Sequence, residues 1–154
     1  METPKNNPQP QQPEGPTGRL EPHFCFGCGK DNPIGLHLDF TEEGDTYKTV
    51  FTPGENHQGY PGVMHGGIAS TLVDEVMGRF LWQKGVSAPT VELNVRFKAP
   101  VPIGLPITIT GRVISHKGRL FKTHSQLILA DGTVAIEAEG KFLVAKHHAK
   151  FVTE

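Results

Sequence analysis

The chain has 154 residues, is 36% hydrophobic and carries a formal net charge of -1. That length suits one domain. The near-neutral balance, without a basic cluster, leaves no nucleic-acid footprint, and no apolar run approaches the ~20 residues of a membrane-spanning helix.

The first 23 residues, METPKNNPQPQQPEGPTGRLEPH, are rich in Pro, Gln and Asn and nearly devoid of apolar side chains. They cannot bury enough surface to offset ordering entropy and read as a disordered tail. They also lack the apolar stretch of a signal peptide, so a cytoplasmic location is expected. The domain is expected over residues 24–148, followed by a short C-terminal tail over 149–154.

CFGCG follows, with Cys25 and Cys28. A lone CxxC is half a zinc site, a redox pair, or two small apolar residues packed in a turn. A zinc site needs two more ligands, for which His147 and His148 would have to be brought near. A redox pair is expected beside a βαβ unit, and none follows. Packing is the preferred reading, and neither metal nor cofactor is expected.

In NPIGLHLDF, Leu36, Leu38 and Phe40 alternate with His37 and Asp39, the period of a half-buried strand. EEGD supplies a turn, and TYKTVFTP reads as a second strand ended by Pro53. A loop rich in turn formers, PGENHQGYPGVMHGG, leads into a helix over about Gly66 to Lys84. Ile68, Leu72, Val73, Val76, Met77, Phe80 and Leu81 recur there at three- and four-residue intervals and give a broad apolar face. Gly85 can take the left-handed position after the helix.

Four strands follow. In TVELNVRFKAP, Val91, Leu93, Val95 and Phe97 point one way, and Glu92, Asn94, Arg96 and Lys98 the other. LPITITGRVISH carries Gly111 as a bulge or a point of close packing. RLFKTHSQLILA and TVAIEAEGKFLVAK flank DGT, an Asp-Gly hairpin signal. Sequential strands favour an antiparallel sheet, and a single broadly apolar helix needs a sheet to cover it. The expected fold is α+β: a curved antiparallel sheet of about six strands wrapped around one central helix. Sheet edges left open would be covered by pairing two copies, so a dimer is expected.

With the central HGG helix, this organisation resembles the hotdog-fold acyl-CoA thioesterases, above all the phenylacetate-pathway type and its mammalian relatives. The likeness runs from CFGCGKDNPIGLHL through GYPGVMHGGIASTLVDEVMG and TVELNVRFKAPVPIG to the final strand. It implies that Asp74 is a nucleophile or general base, that Gly66 and Gly67 amides bind the thioester oxygen, and that His65 belongs to the same corner. Thr90 falls where relatives carry a small hydroxyl residue that orients water or the carboxylate. The resemblance further implies active sites at a dimer interface, with dimers commonly pairing into tetramers, and an acyl-CoA substrate. Relatives often have Asn or Gln six residues before the histidine; here that place is Gly59, with Asn56, His57 and Gln58 nearby.

The residues suit this chemistry. Unpaired amides at a helix start favour the charge that develops on a carbonyl oxygen, and glycine admits close approach. The same glycines could merely permit a tight turn. Asp74 lies nine residues after His65 and shares a stripe with Ser70 and Gly78, at the rim of the apolar arc. It suits attack on a thioester or proton abstraction from water, although most helical aspartates are solvated or ion-paired. Glu75 is the rival carboxylate, 100° further around the helix in standard geometry. Phosphates of a CoA carrier favour cations: Arg96 and Lys98 beside Asn94 on one strand face, and Lys117, Arg119 and Lys122 near a turn. Met77, Phe80, Leu81 and Trp82 are candidates for the acyl pocket or for core.

The expected function is hydrolysis of an acyl-CoA thioester. The alternative is a non-catalytic acyl-CoA or lipid-binding module, which Gly59 keeps open. A dehydratase would need a different local motif, and a zinc-stabilised structural protein is the outsider.

Overall fold

The computed structural model describes residues 23–145. The expected N-terminal tail apart from His23, the C-terminal tail, and His147 and His148 lie outside the described residues. In chain order the elements are β1 (Thr41–Glu43), β2 (Thr46–Phe51), a short 3-10 turn (Glu55–His57), α1 (Gly66–Gln83), β3 (Thr90–Phe97), β4 (Ile107–Lys117), β5 (Leu120–Ile128) and β6 (Val134–Leu143). The strands form one six-stranded sheet in the order β1-β2-β4-β5-β6-β3. Every neighbouring pair is antiparallel. No helix among the described residues is long and apolar enough to cross a membrane.

The helix lies where the period placed it. Leu72, Val73, Val76, Met77, Phe80 and Leu81 are all buried, and Ile68 packs against their cluster. Fully burying one such side chain stabilises by about 1.5–3 kcal/mol. Gly85, at φ 83°, closes the helix. The Gly85 amide donates to Trp82 O at 3.0 Å and the Val86 amide to Leu81 O at 2.9 Å, the paired bonds of a Schellman end. The sheet supplies Tyr47, Ile107, Ile109, Phe121, Leu127, Ile136, Ala138 and Phe142 to the same core. Phe40, Tyr47 and Phe80 stack in sequence, with centroids 5.0 and 5.4 Å apart.

Gly111 is a point of close helix–sheet packing and not a bulge. A Cβ there would lie 3.1 Å from Val76 Cγ1 and 3.4 Å from the Val76 carbonyl group. The β4 irregularity falls instead between Val113 and Ser115. Gly111→Val is expected to destabilise the fold by about 2 kcal/mol through overpacking, read as a lower urea midpoint at unchanged m-value.

Two expected boundaries need correction. Leu36 and Leu38 are buried as the alternation demands, but residues 36–40 are no strand. His37 sits at φ 52°, which an extended strand cannot hold. The Leu36 amide donates to Phe26 O at 2.8 Å and the Leu38 amide to Gly27 O at 3.0 Å, tying this segment to the CFGC loop. The first strand begins only at Thr41 and takes Glu42 and Glu43 from the expected turn, which tightens at Gly44 with φ 61°. The DGT hairpin forms as expected: Gly132 has φ 89°, and Asp131 Oδ1 accepts from the Thr133 amide at 2.9 Å.

β3 is an edge strand, bonded only to β6. Its inward side chains Leu93 and Val95 are partly covered, while Val91 and Phe97 remain 55% and 56% exposed.

Candidate active site

His65 caps α1 in extended conformation, φ -61° and ψ 130°, and its Nδ1 accepts from the Gly67 amide at 2.9 Å. The His65 amide donates to His57 O at 2.8 Å, which fixes the loop to the helix mouth. Among the described residues, the Gly66 and Ile68 amides have no acceptor. The helix start thus spends the Gly67 amide on its own cap and leaves Gly66 as the donor that a ligand can use. A Cβ on Gly59 would lie 3.3 Å from His65 Cα, so the loop backbone packs directly on the histidine. Gln58, Gly59, Tyr60, Val63, Met64, His65 and Gly66 line an open cavity of about 470 Å³ at this mouth. Gln58 is occupied in shaping it, with its Oε1 accepting from the Gly62 amide at 2.7 Å.

Asp74 lies further along α1, half-buried. Thr90 Oγ1 donates to Asp74 Oδ1 at 2.8 Å. A strand irregularity makes this contact. Between Thr90 and Glu92 the β3–β6 register shifts, so Thr90 stands opposite inward-facing Phe142. Without the extra residue, Thr90 would share the outward face of Glu92 and Asn94. Burial pushes the Asp74 carboxyl above the ordinary carboxylate range, the Thr90 hydrogen bond opposes that shift, and the nearby Cys25 adds to it. Among the described residues no hydrogen bond reaches Oδ2.

The other expected residues fall in three places. Ser70 Oγ donates to Gly66 O at 2.8 Å, within the first turns. Met77 is fully buried under Thr123, whose hydroxyl donates to Met77 Sδ at 2.9 Å, so in the single chain it is core. Asn94 and Arg96 line a shallow outer hollow with Glu137 and Glu139. There Lys98 pairs with Glu137, which also accepts from His124 at 2.9 Å. Lys98, and then His124, hold the Glu137 carboxyl down to about 2. Arg119 Nη1 donates to Val144 O at 2.9 Å, and Lys117 is exposed beside the same turn. Glu75 accepts from Cys25 Sγ at 3.3 Å, and its carboxyl is pushed up to about 7, chiefly by burial. It faces the CFGC loop, a partnership that sequence spacing did not signal.

A curved antiparallel sheet around one central helix, with a glycine-flanked helix mouth beside a cavity, defines the hotdog class. Residues 61–136 match the family model described as thioesterase superfamily. Acyl-coenzyme A thioesterase THEM4 of Bos taurus is 30% identical over 128 residues, which cover 81% of this chain and 53% of the relative. Acyl-coenzyme A thioesterase 13 of Homo sapiens is 28% identical over 98 residues, covering 62% and 65%. The crystal structure of a thioesterase superfamily protein superposes with a TM-score of 0.74 at 30% identity, over 79% of this chain and 63% of that one. A Streptococcus mutans protein crystallised bound to acetyl CoA shares the fold, with a TM-score of 0.68 at 17% identity over 75% and 94% of the two chains. Over residues 61–136 the chain matches the thioesterase superfamily, and its architecture is the hotdog fold. It spans about half the length of the bovine relative and under two thirds of the human one.

Proposed function

We propose that the chain hydrolyses acyl-CoA thioesters at a site built by two copies. The observation that carries this reading is the Thr90–Asp74 hydrogen bond at 2.8 Å, which presents a half-buried carboxylate at the open edge of the sheet. The relatives named acyl-coenzyme A thioesterases, and the S. mutans neighbour bound to acetyl CoA, support the substrate class.

One chain cannot perform the reaction alone. Gly66 and Asp74 are eight residues apart on one helix, about 12 Å along its axis. A single thioester carbonyl needs its oxygen about 3 Å from the amide and its carbon equally near the attacking group. Pairing through β3 resolves this. A two-fold axis makes the strand antiparallel to its copy. A register centred on Asn94 sets Glu92 against the partner's Arg96 and Val91 against the partner's Phe97, which matches charge and covers both exposed apolar side chains. Thr90, with Asp74, lies at one end of β3, and Phe97 lies over Gly66 at the other: a Cβ on Gly66 would be 3.4 Å from the Phe97 ring. The antiparallel pair therefore brings Asp74 of one chain toward the helix mouth of its partner.

In the reaction, the Gly66 amide donates to the thioester oxygen as it becomes an oxyanion. Asp74 takes a proton from the attacking water, or attacks the carbon itself, while Thr90 holds Oδ1. When Asp74 acts as base, the carbon–sulfur bond breaks and the CoA thiol leaves with the proton taken from water. When Asp74 attacks, the CoA thiolate leaves, and water then hydrolyses the acyl-Asp74 anhydride to the free acid and supplies the thiol proton. Glu75 is committed to Cys25 and is not the attacking group.

A panel of aryl, short-chain and long-chain acyl-CoAs with thiol detection tests this. Release of free CoA thiol with at least one class is the expected result. Thermal stabilisation by acyl-CoA without turnover would replace it with the binding-module reading.

A further inference from the structure

We propose that Cys25, Cys28 and Glu75, closed by His23, form a zinc-type metal site that pins the segment before β1 to the central helix. One ligand atom from each of Cys25, Cys28 and Glu75 lies within 4.8 Å of the others. Both cysteines are free thiols, Cys28 buried and Cys25 half-buried. His23 Nε2 stands 3.6 Å from Cys28 Sγ, and Cys25 Sγ stands 3.3 Å from Glu75 Oε1. A tetrahedral ion with Zn–S near 2.3 Å and Zn–N or Zn–O near 2.0 Å has S···N and S···O edges of about 3.5 Å, which the 3.6 and 3.3 Å separations match. His23 stands outside the group that Cys25, Cys28 and Glu75 form within 4.8 Å and must swing toward it to complete the set. Two thiolates, an imidazole and a carboxylate are a donor set for zinc and not for calcium or magnesium.

The surrounding chain is shaped for this cluster. The Gly29 amide donates to Cys25 O at 2.8 Å, folding the loop into a tight knuckle. A Cβ on Gly27 would lie 2.5 Å from Glu75 Cδ, and one on Gly29 2.4 Å from the Cys25 amide nitrogen, so backbone alone fits between the thiols and the carboxyl. The His23 amide donates to Asp31 Oδ2 at 2.7 Å, and the Asp31 amide returns to His23 O at 3.1 Å, which anchors the histidine. Leu36 and Leu38 anchor the far end of the segment in the core. In the knuckle itself Phe24 and Phe26 are 57% and 41% exposed, and the groups turned inward are the thiols and the Glu75 carboxyl. Arg79, one turn beyond Glu75, supplies the second observation. Its Nε is buried and without a hydrogen-bond partner among the described residues. Two thiolates and a carboxylate around a divalent ion leave one net negative charge, which the guanidinium offsets while donating to a metal-bound ligand.

The ligands come from the chain before β1 and from α1, next to Asp74. Metal binding here contributes directly to folding of the 23–38 segment onto the helix. It is independent of any hydrolytic activity.

The test uses the full chain, purified under reducing conditions without chelator. Elemental analysis is expected to find about one zinc per chain, and cobalt(II) exchange to give the intense visible bands of a tetrahedral thiolate site. Chelation should make both thiols reactive toward a disulfide reagent and raise hydrogen exchange over residues 23–38. Cys28→Ser and Glu75→Gln should each weaken zinc binding by about 100-fold or more. Because these variants could unfold, the wild-type cobalt spectrum stands as a separate readout. Metal-free protein whose thiols react at the same rate with and without added zinc, and whose cobalt spectrum lacks thiolate bands, overturns the proposal.

Discussion

Asp74→Asn is expected to lower kcat for acyl-CoA hydrolysis by about 1,000-fold or more while the assembly and its thermal midpoint stay unchanged. The substitution keeps size and shape. Thr90 Oγ1, which donates to Asp74 Oδ1 at 2.8 Å, can donate equally to an amide oxygen, so the link between α1 and β3 survives. What disappears is the anionic oxygen that attacks or accepts a proton. Stability should not fall with it, because burial disfavours the charged carboxylate at this position. Steady-state thiol release, calorimetry and sedimentation on the same preparations separate the two effects. A variant retaining activity within tenfold of the parent would remove Asp74 from the chemistry, and a variant that dissociates would make the carboxylate structural.

The helix was legible because its signal is local. Apolar residues at three- and four-residue spacing, a capping histidine and Gly85 at the far end all act within a few turns, and tertiary contacts reinforce them. The strand expected at 36–40 shows the opposite case. Alternation reports which side chains are buried, not whether the backbone joins a ladder, and Leu36 and Leu38 bury their side chains from a segment bonded to the CFGC loop. The bulge that turns Thr90 inward leaves no mark in the pattern TVELNVRF, which reads as a regular strand. Thr90 entered the expected site through the family resemblance, and its contact with Asp74 depends on that irregularity.

Long-range pairings were out of reach for a related reason. Cys25 and Glu75 are fifty residues apart, and only the topology that lays the CFGC loop across α1 brings them together. The expectation that the cysteines merely pack had no means of finding that carboxylate. Some residues expected at the ligand also serve internal needs. The Gly67 amide satisfies the cap, and Arg119 bonds the Val144 carbonyl. Helix ends and strand termini must satisfy their own polar groups first, and residue type alone does not reveal which donors remain.

Gly66→Pro is expected to reduce kcat by about 100- to 1,000-fold, the scale of losing one oxyanion donor, with little change in stability. Proline deletes the amide hydrogen, puts ring carbons in its place and keeps a backbone conformation this position already has. Gly66 is the first residue of α1, where proline is favoured because that amide has no helical acceptor. The preceding His65 already has φ -61° and ψ 130°, the extended conformation that a following proline requires. An added Cβ meets the Phe97 ring at 3.4 Å, an ordinary contact. Co-expression with Asp74→Asn then tests the shared site. In a mixed dimer one site carries both defects and the other carries neither. Random assembly makes half of the dimers mixed, so about a quarter of parental activity should return from two nearly inactive chains. A co-expressed pair that sediments as a mixed dimer and stays inactive would mean that carboxylate and amide must come from the same chain. The 12 Å or so of helix between them argues against that.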